Sequence, residues 1–293
     1  MPDTRYVTAC AALGLLLLPV TSLQATEVQH QFSTGFSYSA PADLSIGTVN
    51  TGEMDAFHSD FSYLLRFKTS DTYAWGAGFA WERSGFGLPA GVPLPNTVNA
   101  LTLKFQNDWQ FADQWNLRID VRPGLFSDLQ DIDGGDFNAP LTIGLAYSQS
   151  KTLMWVAAAN VDMQRDIPII GGLGVRWQFA EDWTLSLLLP KPTLEYQASP
   201  AATVYVGGEL MGGAYRVAED LGTRTGRPNL NDEIVSYREI RVGGGLRARL
   251  GQSVTANVEG GWVVDRRFTY EDADLQLNGD GALYFGLSLN ARF

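Results

Sequence analysis

Apolar side chains recur at every second position along most of this chain. Over residues 73–82, Tyr73, Trp75, Phe79 and Trp81 fall on one parity, and small or polar residues fall on the other. The same alternation occurs in the stretches 57–67, 101–109, 115–122 and 283–293. Successive side chains of a β-strand point to opposite faces, whereas a helix repeats about every 3.6 residues. The alternation therefore predicts an all-β fold from end to end.

The less apolar face decides between two all-β architectures. It mixes Gly, Ala and Ser with Arg, Asp and Gln, and glycine weakens an open sheet face. The alternating stretches also exceed the roughly 5–6 residues that are typical of soluble strands. They suit a transmembrane barrel, whose strands need about 9–11 residues with apolar side chains outside and polar ones inside. We therefore predict an antiparallel transmembrane β-barrel rather than a soluble β-sandwich.

The connections between the alternating stretches are short and long in turn. The short ones are polar, at 69–71, 112–114, 150–152, 180–182 and 251–253. The long ones are rich in Gly, Pro, Asn and Asp, at 84–96, 127–138, 216–232 and 269–279. Short turns at one end and long loops at the other are typical of outer-membrane barrels. About fourteen strands are predicted, at 29–39, 54–68, 72–83, 97–111, 115–126, 139–149, 153–164, 168–179, 183–189, 193–198, 201–215, 233–250, 254–268 and 280–293.

The stretch 183–198 leaves the strand count open. Proline lacks the N–H of a β-ladder, so Pro190 and Pro192 predict a tight turn at 190–192 between two short strands. If 183–198 is instead one bent strand, the count falls toward twelve. An even number is expected because both ends of the barrel should lie in the periplasm.

The first 25 residues have the features of an export signal. Arg5 provides a positive start, an apolar run follows at 7–20, and Ala25 ends a plausible cleavage point. The run is shorter than the about 20 apolar residues of a spanning helix. We predict a cleaved signal peptide over residues 1–25 and an outer-membrane barrel over residues 26–293. No plug domain is expected, because few residues separate Ala25 from the first strand.

A short aromatic unit occurs twice, each time around a predicted turn. Trp109-Gln-Phe-Ala-Asp-Gln-Trp115 recurs as Trp177-Gln-Phe-Ala-Glu-Asp-Trp183. The tryptophans fall on the apolar face, where an indole can lie half in lipid with its N–H toward the headgroups. The repeat predicts an aromatic girdle at the periplasmic boundary, made of Trp75, Trp109, Trp115, Trp177 and Trp183.

Most charged residues of the strands fall on the opposite face. By parity we place in the lumen Asp60, Arg66, Lys104, Arg118, Asp120, Arg122, Arg176, Glu239, Arg241, Arg247, Arg249 and Glu259, with Asp108, Asp162, Asp265 and Arg292 as further members. Charges inside a narrow barrel must be paired or hydrated. They therefore form either a pairing network that fills the barrel or the lining of a small pore.

Candidate catalytic residues are few. Cys10 is the only cysteine and lies in the predicted signal, so thiol nucleophiles are not expected in the barrel. His58, Asp60 and Ser62 share an inward face, but residues two apart on a strand lie roughly 6.5–7 Å apart, too far for a direct relay. We predict no enzymatic activity and no cofactor, with a barrel hydrolase as a minor alternative.

The excess of acidic over basic residues limits the classes of partner that the chain is expected to bind. The 32 acidic residues outnumber 21 basic ones and give a net charge of -11, which argues against nucleic-acid binding. No metal is predicted, and the loop carboxylates Asp131, Asp133 and Asp136 are only a weak candidate because calcium needs about six to eight oxygen ligands. Acidic loops can be bridged by divalent ions to lipopolysaccharide, so outer-membrane lipid and lipopolysaccharide are the expected partners. The oligomeric state is left open.

Several motifs together resemble a domain-of-unknown-function family of Gram-negative outer-membrane β-barrels. They are the signal, the two tryptophan units, the stretch Leu-Pro-Lys-Pro-Thr-Leu-Glu-Tyr at 189–196, the strand 205–215 and the terminal Phe293. The likeness covers nearly the whole chain after the signal. It implies an outer-membrane barrel with no assigned reaction, so no catalytic residue is transferred. A terminal Phe also resembles the signal that the barrel-assembly machinery reads.

Two functions remain after these exclusions. A porin-like channel or passive transporter for small solutes in the outer membrane of a Gram-negative bacterium is the first expectation. The alternative is a structural or surface-interaction barrel with a filled lumen. Both use the same fold, and only the state of the lumen distinguishes them.

Overall fold

A computed structural model describes residues 27–165 and 167–293. The predicted signal peptide, residues 1–25, lies outside this part. The fold is one antiparallel sheet that closes on itself. Its strand segments are β1 Glu27–Ile46, β2 Val49–Lys68, β3 Tyr73–Gly87, β4 Thr97–Ala112, β5 Trp115–Val121, β6 Gly124–Ser127, β7 Phe137–Asn138, β8 Leu141–Ser148, β9 Leu153–Val161, β10 Ile169–Gln178, β11 Trp183–Ser186, β12 Thr193–Ser199, β13 Ala202–Arg216, β14 Ile234–Leu250, β15 Val254–Tyr270, β16 Leu275–Gly279 and β17 Ala282–Arg292.

These segments form fourteen barrel strands. Three barrel strands are each interrupted and consist of two segments. The segments β5 and β6 form one strand, because both pair with β4, and β7 and β8 form the next, because they pair with β6 and β5. The segments β16 and β17 form the last strand, because both pair with β15 and with β1. The barrel closes where β1 pairs with β17, from Gln31 opposite Arg292 to Ser39 opposite Tyr284. The prediction of about fourteen strands is confirmed, and the alternative of twelve is wrong because 183–198 turns back on itself as β11 and β12.

The two ends of the barrel differ. The turn end holds the short connections at 69–72, 113–114, 149–152, 179–182, 200–201 and 251–253. The chain also closes there, since Phe293 and His30 exchange two backbone hydrogen bonds of 2.9 and 3.0 Å. The loop end holds the longer connections, which contain the short helix α1 Leu221–Arg224 and two single-turn 3-10 segments. Among the described residues, no helix is long and apolar enough to cross a membrane.

The first two strands are longer than predicted. They run without a loop from Glu27 to Lys68, except for a tight turn at Gly47 and Thr48. Gly47 has a φ of 60°, a conformation that glycine adopts without the steric cost of a Cβ atom. Each of these strands has 20 residues, which is more than the about 9–11 residues that a strand needs to cross a bilayer.

An apolar core fills part of the loop end. Inward residues of the long strands, such as Met54, Phe86 and Phe268, pack against Leu94 and Leu230 of the loops. The rings of Phe86 and Phe268 meet edge to face at 5.0 Å, a preferred geometry for aromatic pairs. The predicted absence of a separate plug domain is compatible with this arrangement, because the strands and loops themselves form the core.

One β-bulge moves a predicted lumen residue to the outer face. Asp265 pairs with Ile240 and Val263 pairs with Arg241, which leaves Val264 as the extra residue. Beyond the bulge Arg266 faces inward beside Glu239, and Asp265 lies on the other face, 2.8 Å from Arg238. The inward prediction for Asp265 is wrong because a bulge shifts the parity by one residue.

Candidate functional site: the charged lumen

The most deeply buried charges form a network around Glu239. Arg241 donates to one carboxylate oxygen of Glu239, and Arg266 donates to the other at 2.7 Å. Tyr237 also donates its hydroxyl to Glu239 at 2.7 Å, and Arg241 donates to the Ser37 hydroxyl at 2.8 Å. Glu239 and Arg266 are at most 1% exposed, so both charges are paired inside the protein, and the two guanidinium groups share one carboxylate. Glu239 and Arg241 were predicted in the lumen, whereas Arg266 was missed because parity alone does not reveal the bulge.

A second group of charges joins Lys191, in the connection between β11 and β12, to Glu209 of β13 and Glu259 of β15. Lys191 is 2.7 Å from Glu259 and 3.5 Å from Glu209. Tyr205 donates its hydroxyl to Glu259 at 2.6 Å. Glu259 was a predicted lumen residue, but its partner Lys191 was not, since the Pro-Lys-Pro sequence indicates only a turn.

A third group of charges lies across the lumen, on β3 and at the end of β5. Arg122 is 2.8 Å from Asp120 and 3.3 Å from Glu82. Nearer the turn end, Asp108 accepts from Arg118 at 2.6 Å and from Arg66 at 3.3 Å. The predicted lumen residue Lys104 lines the same cavity as these arginines.

Asp60 has a different surrounding. Its carboxylate lies against the Cα of Gly35, where a Cβ atom would collide with it. His58 contacts the Ser84 hydroxyl at 3.1 Å through Nδ1. Among the described residues no hydrogen bond joins His58, Asp60 and Ser62 to one another, so they do not form a relay.

Arginines gather at the turn end of the lumen. Arg176, Arg247 and Arg249 line one cavity of about 240 Å³. Arg247 is 3.3 Å from Glu195 and lies over the Tyr205 ring at 5.4 Å. Within residues 27–165 and 167–293, Arg176 and Arg249 form no ion pair with an acidic side chain.

The loop carboxylates do not gather into a metal site. Asp133 and Asp136 cap the 3-10 segment Gly134–Asp136, with Asp133 accepting from the backbone N–H of Gly135 at 2.6 Å. Asp131 is exposed, and the described part of the chain contains no group of three or more His, Cys, Asp or Glu that could hold a metal ion. Nearby, Asp128 accepts the N–H of Ala218 at 3.0 Å, and burial raises the pKa of its carboxyl above the ordinary aspartate value.

The two tryptophan units adopt nearly the same geometry on the outer face. The ring centroids of Trp109 and Phe111 are 5.6 Å apart, and Trp115 lies 4.7 Å from Tyr147. In the second unit, Trp177 and Phe179 are 5.5 Å apart, and Trp183 lies 4.9 Å from Tyr196. All four tryptophans are exposed at the turn end. Trp75 stacks on Phe67 at 4.3 Å.

A cavity of about 1800 Å³ is lined by residues of the lumen and, near β10 and β13, by outer-face residues such as Leu173 and Leu210, and its lumen part has two unlike walls. One wall carries Lys104, Arg118 and Arg122, whereas the strands β8 to β10 present small or apolar residues. These inward residues include Gly144, Val156, Ala158, Ile170 and Gly172. An added Cβ atom at Gly144 or Gly172 would meet no atom within 4 Å, so both glycines face open space.

Comparison with known proteins places the fold among outer-membrane β-barrels. A family described as Domain of unknown function (DUF6268) matches residues 68–286. The COG4313 outer membrane channel from Pseudomonas putida F1 is similar over 94% of this chain and 100% of that chain, with a TM-score of 0.50 and 9% identity. The P. putida toluene transporter TodX covers 90% of both chains with a TM-score of 0.42 and 9% identity. A Pseudomonas aeruginosa FadL homologue covers 92% of this chain and 90% of its own, with a TM-score of 0.34 and 11% identity.

These likenesses bear on the fold alone, because the sequence identities are very low. No curated protein sequence matches the chain. The chain therefore has the fold of an outer-membrane β-barrel, and the roles of its residues must be argued from their own geometry.

Proposed function

The chain belongs to the DUF6268 family, whose pattern spans residues 68–286, and from that premise we propose that it is a passive channel for small solutes. It resides in the outer membrane of a Gram-negative bacterium and arrives there after cleavage of its signal peptide. The turn end then faces the periplasm, and the loop end faces the exterior, as in barrels with short periplasmic turns.

The cavity of about 1800 Å³ carries this proposal. At the turn end it is lined by Gln252, Ser253 and Arg292, and toward the loop end by Asp162 and Arg165. Lining residues near both ends of the barrel support an aqueous path from the periplasm into its upper part. The part of this volume that lies in the lumen argues against a lumen filled by side chains, as a purely structural barrel requires.

The charges of the lumen support a path rather than a strong binding site. Most are paired within the wall, as Arg122 is with Asp120 and Arg118 is with Asp108. A passage must attract its solute enough for it to enter and release it easily enough for it to leave. Paired charges keep the lumen hydrated without a deep electrostatic trap.

The outer surface fits lipid and lipopolysaccharide as partners. Large apolar side chains such as Leu103, Val206 and Leu287 are about half exposed, which suits contact with acyl chains. Phe293 is exposed at the turn end, where the barrel-assembly machinery would bind it. The acidic loops would meet lipopolysaccharide through divalent ions.

Flux across reconstituted membranes tests the function. Proteoliposomes with folded wild-type protein should swell in small sugars or amino acids, or cells producing it should take up an apolar dye faster than cells without it. Absence of both effects in protein that migrates as a folded barrel would reject the channel and favour the structural barrel. The apolar core at the loop end is the observation that favours that second candidate.

The proposal assigns no chemical step to the barrel. Purified protein should therefore leave phospholipid, ester and peptide substrates intact. Hydrolysis that persists in a His58→Ala variant would come from a contaminant, whereas hydrolysis lost in that variant would make the protein an enzyme.

A further inference from the structure

The barrel wall is incomplete between β10 and β13. On one side β10 pairs with β9 over its full length, from Ile169 to Trp177. On its other side, pairing with β11 is confined to Arg176, Trp177 and Gln178, with one further hydrogen bond from Leu187 to Val175. In the described part of the chain, no ladder bond therefore reaches that edge of β10 from 169 to 174.

The facing edge of β13 is also unpaired toward the loop end. Its pairing with β12 ends at Gly207, and two more hydrogen bonds join Gly208 to Pro192 and Leu210 to Pro190. From Met211 to Tyr215, β13 has a strand partner only in β14 among the described residues, and the guanidinium of Arg165 donates to the Gly212 carbonyl at 3.3 Å. The gap thus has one edge on β10 and the other on β13.

The short hairpin between these strands explains the gap. β11 has four residues and β12 has seven, whereas a spanning strand needs about 9–11. Pro190 and Pro192 lack the N–H groups that would extend the ladder. The hairpin therefore ends partway across the membrane, and the gap lies in the half of the wall nearer the loop end.

The end of the barrel beyond the gap is closed by other elements. Arg216 of β13 pairs in parallel with Ser127 of β6, and Asp128 donates its N–H to the Arg216 carbonyl at 3.1 Å. This contact bypasses the strands β7 to β12 and closes the long strands around the apolar core. A solute that rises through the lumen along β8 to β10 therefore reaches the gap beside this closed part.

The rim of the gap is largely apolar, and the Arg165 guanidinium, paired with Asp162, lies on its loop-end side. Leu173 is 88% exposed and Leu189 is 71% exposed, and Ile170, Leu188 and Met211 line the cavity beside them. The cavity lining also includes Leu210 and Ile240, which lie on the outer face of β13 and β14. The lining thus passes from the inside to the outside of the wall at this place.

Unpaired strand edges are costly in hydrocarbon and are tolerated where they line a cavity. Resting on the channel function proposed above, we propose that the gap is a lateral exit between the lumen and the outer leaflet. Its substrates are small uncharged apolar molecules. They move along the small-residue wall of β8 to β10 and cross between β10 and β13 into lipid.

Two pairs of substitutions test the exit. Gly172→Trp with Met211→Trp places bulky rings on the inward face of both rims, and Gly172 has room for a side chain. The matched control is Val175→Trp with Val206→Trp, which adds the same rings to the outward face of the same two strands, nearer the turn end and outside the cavity lining. Heat-dependent gel mobility shows whether each variant has folded.

The probe is N-phenylnaphthylamine, an apolar dye that fluoresces once it has passed the lipopolysaccharide barrier of intact cells. Wild type and the outward pair should raise its uptake rate several-fold over cells without the protein, and the inward pair should abolish the gain.

Equal uptake by the two folded pairs would overturn the lateral exit. Swelling of wild-type proteoliposomes in sugars without any dye uptake would overturn the exit and leave the channel function intact. If the inward pair fails to fold, Gly172→Trp alone should still reduce the gain, and an unchanged rate would overturn the proposal.

Discussion

Glu239 is the shared carboxylate partner of two guanidinium groups in the interior of the barrel. Glu239→Gln removes the charge that pairs with both Arg241 and Arg266, which are at most 3% exposed. Loss of a buried partner costs about 3–5 kcal/mol, so we expect the free energy of unfolding to fall by that order. Urea titrations read by gel mobility measure it. Glu195→Gln is the control, because its partner Arg247 is 40% exposed and exposed pairs contribute about 0–1 kcal/mol. Equal losses in the two variants would contradict the buried network.

The arginines at the turn end should attract anions to the periplasmic mouth. Replacing Arg247 and Arg249 with Gln removes two positive charges from the cavity that Arg176 shares. We expect proteoliposomes to lose their preference for anionic over neutral solutes of similar size, because rings of charge bias a pore at close range. Salt near 0.1 M should weaken the effect, since the Debye length there is about 10 Å. Arg83→Gln, on the outer face of β3 and outside the cavity lining, is the control and should leave the preference unchanged. An unaltered preference in the double variant would exclude the charge ring.

At the scale of single strands, the bulge in β15 predicts an unusual tolerance to deletion. Removing Val264 takes out the extra residue and leaves Val263 and Arg266 on the inward face. Val258 has a similar exposure, but it lies outside the bulge. Removing it moves the side chains of one half of β15 to the opposite face of the barrel wall. We expect the Val264 deletion to fold and the Val258 deletion to fold poorly, as measured by the heat-modifiable fraction. Equal yields would show that the bulge does not set the register.

The repeated aromatic units should mark the membrane boundary. Each places two tryptophans beside a short turn, as Trp109 and Trp115 flank one and Trp177 and Trp183 flank the other. In brominated lipids their fluorescence should be quenched at interfacial depth, because indoles lie at the headgroup level. Quenching by aqueous iodide alone would invert the assignment of the two faces.

The alternation within single strands predicted most of the barrel wall but few of the contacts inside the barrel. Alternation places Trp81 outside and Arg122 inside because each choice depends on one strand alone. The bulge at Val264 depends on pairing with β14, so no local pattern signals it. The Phe86 and Phe268 contact joins residues far apart in the sequence, and the partial wall follows from the relative lengths of neighbouring strands. Pro190 and Pro192 were the visible signal of the short hairpin.

At the scale of the whole molecule, the barrel has a core at one end and an incomplete wall, and we propose that its lumen is open. Labelling of single cysteines tests this central claim most directly. In a Cys10→Ser background, Gly144→Cys places a thiol where an added Cβ meets no atom within 4 Å, and Ile143→Cys places one on the outward face of the same strand. In folded protein in lipid vesicles, a charged water-soluble maleimide should modify Gly144→Cys rapidly and Ile143→Cys only after unfolding. A Gly144→Cys thiol that reacts only after unfolding would show a filled lumen, and rapid reaction of Ile143→Cys would show that the two faces are inverted.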